Sequence, residues 1–140
     1  MGRRDPAPLT PRLVLDTGAL IALERGDPRA RGHLAAAVRR GYAVVVPVLA
    51  VMEALEHARS SARLNQVLAA LDAEIPLTPA IAHQVAGLKA RARVDSDTDA
   101  VVVLEALAVP GSAILTGDPD DIHALLAASG SEGRVPVLKL

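Results

Sequence analysis

Four carboxylates lie beside apolar segments of this chain, in positions from which folding could bring them together. Asp16 and Asp118 each follow an apolar run, whereas Glu53 and Asp99 lie within apolar segments of helical character. A carboxylate beside a core element costs free energy to bury without a partner. Several converging carboxylates also repel one another unless a hard cation lies between them. Because oxygen ligands favour Mg²⁺ or Mn²⁺ over zinc, the pattern indicates a site for one of these ions.

Strand-like and helix-like segments alternate along the chain. Short apolar runs predict strands over residues 12–15, 42–46, 74–77, 113–116 and 135–138. Between them, capping residues and apolar spacing predict helices over residues 18–24, 28–40, 61–71, 79–91, 98–108 and 119–128, with a further helix that starts at Pro47 and carries Glu53. This alternation predicts an α/β domain of three layers, with a short parallel sheet of four to five strands between helices.

The predicted fold places the four acids at one edge of the sheet. Ligands of open parallel sheets bind beyond the carboxyl ends of the strands. Asp16 and Asp118 each follow a strand, so both reach that edge, and Glu53 and Asp99 lie near the starts of helices that begin there. Convergence of the acids is therefore a consequence of the predicted topology.

Each acid also has a purely structural interpretation. Asp16 and Asp118 precede helices and are suited to be N-caps. Asp99 matches a capping box with Ser96, and Glu53 could be a solvated helical glutamate. All four interpretations must hold together for the site to disappear.

Two more acids, Asp120 and Asp121, fall in the first turn of the helix that follows Asp118. Acidic side chains are favourable there because they interact with the positive end of the helix dipole. We therefore expect a structural role for both of them.

Composition restricts the class of protein further. The chain has 140 residues, 51% of them hydrophobic, which fits one globular domain. Its formal net charge of −1 provides no overall positive potential that would attract nucleic acid. Tyr42 is the only aromatic residue and cysteine is absent, which excludes aromatic stacking platforms, disulfides and zinc–thiolate sites. We expect a flexible tail over residues 1–11, a single folded domain over residues 12–140, no membrane span and a cytoplasmic location.

The motifs together resemble a known family. Leu15-Asp16-Thr17-Gly18-Ala19-Leu20, the helical Glu53, Asp99-Ala100 with its apolar helix, and Leu115-Thr116-Gly117-Asp118 look like the PIN domain, and more narrowly like a VapC-type ribonuclease toxin. The resemblance covers about residues 12–138. It implies a magnesium-dependent endoribonuclease of a toxin–antitoxin system, which binds a VapB-like antitoxin protein and forms a homodimer.

The resemblance also implies roles for individual residues. Asp16, Glu53, Asp99 and Asp118 would form the catalytic quartet, with Asp16, Asp99 and Asp118 as ligands of Mg²⁺ or Mn²⁺ and Glu53 acting on the attacking water. Asp99 is preferred over Asp97 as the third acid, because Ala100 and an apolar run follow it as in the family. Thr17, Thr116 and Asp97 would support these groups, and the candidates for binding RNA phosphates are Arg39, Arg40, Arg91 and Arg93.

Other functions fit parts of the pattern. A haloacid-dehalogenase-like phosphatase would use Asp16 as its nucleophile, but it requires a second aspartate where this chain has Gly18. A receiver-like signalling domain requires a late lysine, and Lys139 is too close to the end. A PIN-like scaffold that binds RNA or protein without cleavage is the non-enzymatic alternative.

Overall fold

A computed structural model describes residues 9–140, so most of the tail expected over residues 1–11 lies outside the described part of the chain. Five strands form one sheet in the order β3-β2-β1-β4-β5, and every pair of neighbours is parallel. The strands are β1 (Arg12–Leu15), β2 (Ala43–Pro47), β3 (Ala73–Ile75), β4 (Ala113–Thr116) and β5 (Val137–Lys139).

Seven helices connect these strands in the described residues. They are α1 (Thr17–Glu24), α2 (Pro28–Arg39), α3 (Val48–His57), α4 (Ser61–Ala70), α5 (Pro79–Ala92), α6 (Asp97–Ala108) and α7 (Pro119–Ala128). Local chemistry sets many of their starts: Asp27, Ser60, Thr78 and Ser96 each accept a hydrogen bond from a backbone N–H in the first helical turn. Helix α2 ends before Gly41, whose φ of +81° is strained for any side chain with a Cβ.

The sheet separates two apolar cores. On one face, Leu13, Leu15, Val44 and Leu115 pack with side chains of α1 to α4. On the other face, Val14, Val45 and Ile114 pack with side chains of α5, α6 and α7. Strands buried on both faces explain the continuous Val, Ile and Leu runs in the sequence.

The strand order reverses beside β1. Strands β2 and β3 extend the sheet on one side of β1, and β4 and β5 extend it on the other. Such a switch point opens a crevice beyond the carboxyl ends of the two central strands, here β1 and β4. The residues that follow Leu15 and Thr116 therefore lie at the mouth of this crevice.

The α/β fold class expected from the sequence is confirmed, with a single parallel sheet of five strands between two helical layers. β3 is an edge strand, as Pro76 indicates. The predicted start of the last strand was wrong by two residues. β5 begins at Val137 instead of Val135, because Pro136 cannot donate a ladder hydrogen bond. Pro47 ends β2 and is the N-cap of α3 rather than its first residue.

None of the described helices is long and apolar enough to cross a membrane.

Candidate functional site

Asp16 lies at the centre of the crevice. Its side chain is buried, with only 4% exposed. One carboxylate oxygen accepts the N–H of Ala19 at 2.7 Å and the other accepts the N–H of Gly117 at 3.2 Å. Asp16 is therefore an N-cap of α1, as its structural interpretation requires, but it also joins β1 to the turn after β4.

Close backbone packing makes the contact with Gly117 possible. A Cβ on Gly18 would lie 3.3 Å from the Cα of Gly117. Glycine at both positions lets the start of α1 approach the turn between β4 and α7. The two Asp-bearing motifs are thereby held against each other.

The pKa of Asp16 is raised, mainly because burial disfavours its charged form. Hydrogen bonds from Thr116, Ala19 and Gly117 lower the pKa and oppose this effect, while the charge of Asp118 raises it further. Thr116, which is fully buried, also accepts the N–H of Asp118 at 2.8 Å. The hydroxyl of Thr116 thus contacts both aspartates.

Glu53 is exposed on α3, but two threonine hydroxyls orient it. Thr17 donates to one carboxylate oxygen at 2.8 Å, and Thr98 donates to the other at 2.5 Å. Thr17 and Thr98 lie next in sequence to Asp16 and Asp99. Glu53 is therefore not a freely solvated glutamate, since it connects α1, α3 and α6 beside the crevice.

Thr98 was not identified from the sequence. It is 3% exposed, and its hydroxyl is turned toward α3. The available signal was a threonine between two acids in a first helical turn, a position from which a buried hydroxyl must find an acceptor in a neighbouring element.

Asp99 is partly buried in the first turn of α6. Its backbone N–H donates to the Ser96 hydroxyl at 3.1 Å, so the predicted capping interaction is present. Burial, followed by the negative charges of Asp16, Asp121 and Asp118, raises the pKa of Asp99 to about 6. The capping and the acidic-site interpretations of Asp99 therefore hold together.

Asp118 occupies the N-cap position of α7, yet its carboxylate makes no capping hydrogen bond. The side chain is exposed, so its oxygens are accessible to a cation or a hydrogen-bond donor. Asp121, one turn later, is close enough to Asp99 to raise its pKa. Asp121 therefore joins Asp16, Glu53, Asp99 and Asp118 at this edge of the sheet, and we call these five acids the acidic rim. From the sequence we expected Asp121 only to stabilise the helix dipole, although its spacing of three residues from Asp118 was a signal for this position.

Asp97 is not among the acids whose charges raise the pKa of Asp99. Its side chain is 67% exposed and pairs with Lys89 at 2.6 Å, which raises the pKa of Lys89. Of the two acids considered for the third position, Asp99 is the one near Asp16 and Asp118. Asp97 could support the site only indirectly, through the start of α6.

The four candidate arginines divide into two pairs. Arg39 and Arg40 end α2 immediately before β2, at the amino edge of the sheet and opposite the acids. Arg91 and Arg93 are exposed at the end of α5, just before the helix that carries Asp99. Only the second pair lies on the side of the acidic rim.

The donor set suits a hard divalent cation. Asp16, Asp99, Asp118 and Asp121 supply only oxygen atoms, and burial, together with repulsion from neighbouring acids, raises the pKa of Asp16 and Asp99. Within residues 9–140 the ion pairs are Arg12–Glu105 and Lys89–Asp97, so no described basic side chain forms an ion pair with these four acids.

The rim is not a closed cage, because no group of three or more His, Asp or Glu side chains in the described residues is arranged to hold a metal. The chemistry of the residues therefore fits Mg²⁺ or Mn²⁺, provided that the exposed carboxylates turn inward.

No protein-family model and no curated protein sequence matches this chain. Solved structures do match it in fold. A toxin–antitoxin complex from Klebsiella pneumoniae is 20% identical, with a TM-score of 0.60 over 78% of this chain and 88% of that one. FitAcB from Neisseria gonorrhoeae is 16% identical, with a TM-score of 0.57 over 90% of this chain and 96% of that one. These similarities confirm the PIN-like α/β fold class expected from the sequence.

Proposed function

We propose that this protein is a Mg²⁺- or Mn²⁺-dependent endoribonuclease of the VapC type, the toxin of a two-component toxin–antitoxin pair. The observation that carries the proposal is the acidic rim, where Asp16, Asp99, Asp118 and Asp121 share one sheet edge without a basic ion-pair partner. The fold is that of chains found in two solved structures, one of which is described as a toxin–antitoxin complex.

Asp16, Asp99 and Asp118 would hold the cation. A bound divalent ion supplies Lewis acidity toward the phosphodiester and lowers the pKa of water, which is the chemistry that phosphodiester hydrolysis needs. The burial of Asp16 and its two backbone donors fix its carboxylate in place. Such fixing reduces the reorganisation that the reaction requires.

Glu53 is suited to act on the attacking water. Thr17 and Thr98 hold its two oxygens, so its carboxylate has a defined direction although its side chain is exposed. A carboxylate in this position can accept a proton from water or orient it. Arg91 and Arg93 would attract RNA phosphates toward the rim.

The partner would be a VapB-like antitoxin, and the active form would be a homodimer in the cytoplasm. The toxin–antitoxin neighbour supports an antitoxin partner, while the dimer rests on the family resemblance alone. Co-expression with the adjacent gene followed by size-exclusion chromatography should give one joint peak. Separate elution at micromolar concentration would contradict the partner.

RNA cleavage tests the activity. The parent should cut a pool of structured RNAs when Mg²⁺ or Mn²⁺ is present and not in EDTA. Asp16→Asn should lose cleavage with an unchanged circular dichroism spectrum, because Asn can still cap α1 but has lost the negative charge. Asp97→Asn is the matched control and should keep most of the activity. If Asp16→Asn cuts as fast as the parent, the proposed mechanism is wrong.

A further inference from the structure

A second concave surface lies between α1, α2 and α4, apart from the acidic rim. This groove has a volume of about 660 Å³. Its apolar wall includes Leu23 and Val67, and its polar lining includes Glu24 and three arginines, Arg25, Arg31 and Arg63. We call it the arginine groove.

Glu24 carries an unsatisfied oxygen. The residue is 3% exposed. One carboxylate oxygen accepts the N–H of Ser60 at 3.0 Å, while Oε2 is buried and has no hydrogen-bond partner among the described residues. A buried acceptor without a donor costs free energy, and in native structures such a group usually meets a water, an ion or a ligand.

The arginines are not neutralised by the protein. Arg25, Arg31 and Arg63 are exposed, and none forms an ion pair with a carboxylate of residues 9–140. The lining of the groove thus combines three positive charges with one buried acceptor. Its net charge attracts an anion and repels a cation.

This combination selects among ligands. A basic side chain of a protein partner would be repelled by the three arginines that line the groove with Glu24. A nucleotide satisfies both features, because its phosphates are negative and the amino group of its base is a neutral hydrogen-bond donor. Carboxylates accept from the amino group of cytosine in known nucleic-acid complexes, and single-stranded RNA exposes such base edges.

We infer that the arginine groove binds a single-stranded RNA segment, with Arg25, Arg31 and Arg63 on phosphates and Glu24 accepting the amino group of a base. This inference rests on the proposed RNA substrate and adds a base preference to it. Helix α1 connects the acidic rim to the arginine groove, because Asp16 caps its start and Glu24 is its last residue. Eight residues rise about 12 Å, a separation that a short oligonucleotide can span.

Hexanucleotides of cytidine and uridine form a matched pair of probes. The two bases have the same size and differ at position 4, where cytosine has an amino donor and uracil a carbonyl acceptor. Fluorescence anisotropy in EDTA at pH 7.5 measures binding without cleavage, so a failed nuclease assay would not affect the result. The parent should bind the cytidine hexamer at least about 10-fold more tightly, as expected for one hydrogen bond to a carboxylate.

Glu24→Gln should reverse this preference. The amide oxygen must accept from Ser60, which places the amide NH₂ where Oε2 was and turns an acceptor into a donor. The variant should therefore favour the uridine hexamer, whereas the exposed Glu56→Gln control should behave as the parent. Arg63→Gln should weaken both hexamers alike and reduce the salt dependence of binding.

Two results would overturn the inference. One is equal affinity of the parent for the two hexamers, or no binding of either, which needs no variant to interpret. The other is tight binding of a tri-arginine peptide to the parent but not to Glu24→Gln, without hexamer binding, which would assign the groove to a basic protein segment.

Discussion

Replacing Asp99 by asparagine should make the metal-free protein more stable. Burial and the charges of Asp16, Asp121 and Asp118 raise the pKa of Asp99 from 3.8 to about 6. At neutral pH the native state therefore contains an ionised group that its surroundings disfavour. Asparagine removes the charge and keeps an oxygen that can accept a hydrogen bond near Ser96.

The magnitude follows from the pKa shift. Each pKa unit corresponds to about 1.4 kcal/mol, so a shift of this size would give ~3 kcal/mol for a fully buried group. Asp99 is partly exposed, and solvent screening reduces the expected gain to about 1–2 kcal/mol. For a chain of this length the melting temperature should rise by about 3–6 °C.

The direction of the pKa shift determines how the stability of the parent changes with pH. A pKa that is higher in the folded than in the unfolded state means that the native state binds more protons between pH 3.8 and about 6. The parent should therefore lose stability as pH rises through this window. The difference between Asp99→Asn and the parent should be small near pH 4 and reach its full size above pH 7.

Differential scanning calorimetry in EDTA at pH 4, 5.5 and 7.5 measures this difference. Asp97→Asn is the control: its parent side chain pairs with Lys89 outside the cluster, so the change should be neutral or slightly destabilising. A lower melting temperature for Asp99→Asn at pH 7.5, or a gain that does not depend on pH, would refute the electrostatic account of the rim.

Three further predictions concern residues around the rim. Thr98→Val should reduce RNA cleavage about 10-fold or more while KM changes little, because it removes the hydroxyl that orients Glu53; equal kcat for variant and parent would contradict this role. Gly18→Ala should lower activity and destabilise the fold by about 1–2 kcal/mol in urea unfolding, because the new Cβ would crowd Gly117. Asp121→Asn should weaken Mn²⁺ binding and raise the melting temperature of the metal-free protein, whereas Asp120→Asn, its exposed neighbour, should do neither.

Much of the fold could be predicted because local signals agreed with the topology. Ser96, Thr78 and Asp27 cap helices in the structure as their sequence positions indicate. The apolar runs of β1, β2 and β4 are buried on both faces, which is what a parallel sheet between helices requires. The last strand was harder to place, because three residues beside Pro136 give little periodicity.

The candidate site was predictable only in outline. Its strand-end aspartates follow from topology, since Asp16 and Asp118 come directly after β1 and its neighbour β4. The roles of Thr98 and Asp121 depend on which face of a helix meets another helix. Sequence spacing indicates which side chains share a helix face, but not which neighbouring element that face meets.

The burial of Glu24 could not be predicted from the sequence for a related reason. Its position after Leu23 looks like a solvated helix end, and only the packing of α4 against α1 buries it.

A calorimetric titration with Mn²⁺ tests the central claim most directly, because it detects cation binding without requiring the correct RNA. The parent should show saturable heat and a melting temperature that rises with Mn²⁺ concentration, since a ligand that binds only the native state stabilises it by mass action. Asp16→Asn should lose both effects, and Asp97→Asn should keep them. Absence of heat and of any melting shift in the parent, or an unchanged titration for Asp16→Asn, would contradict a cation site at the acidic rim.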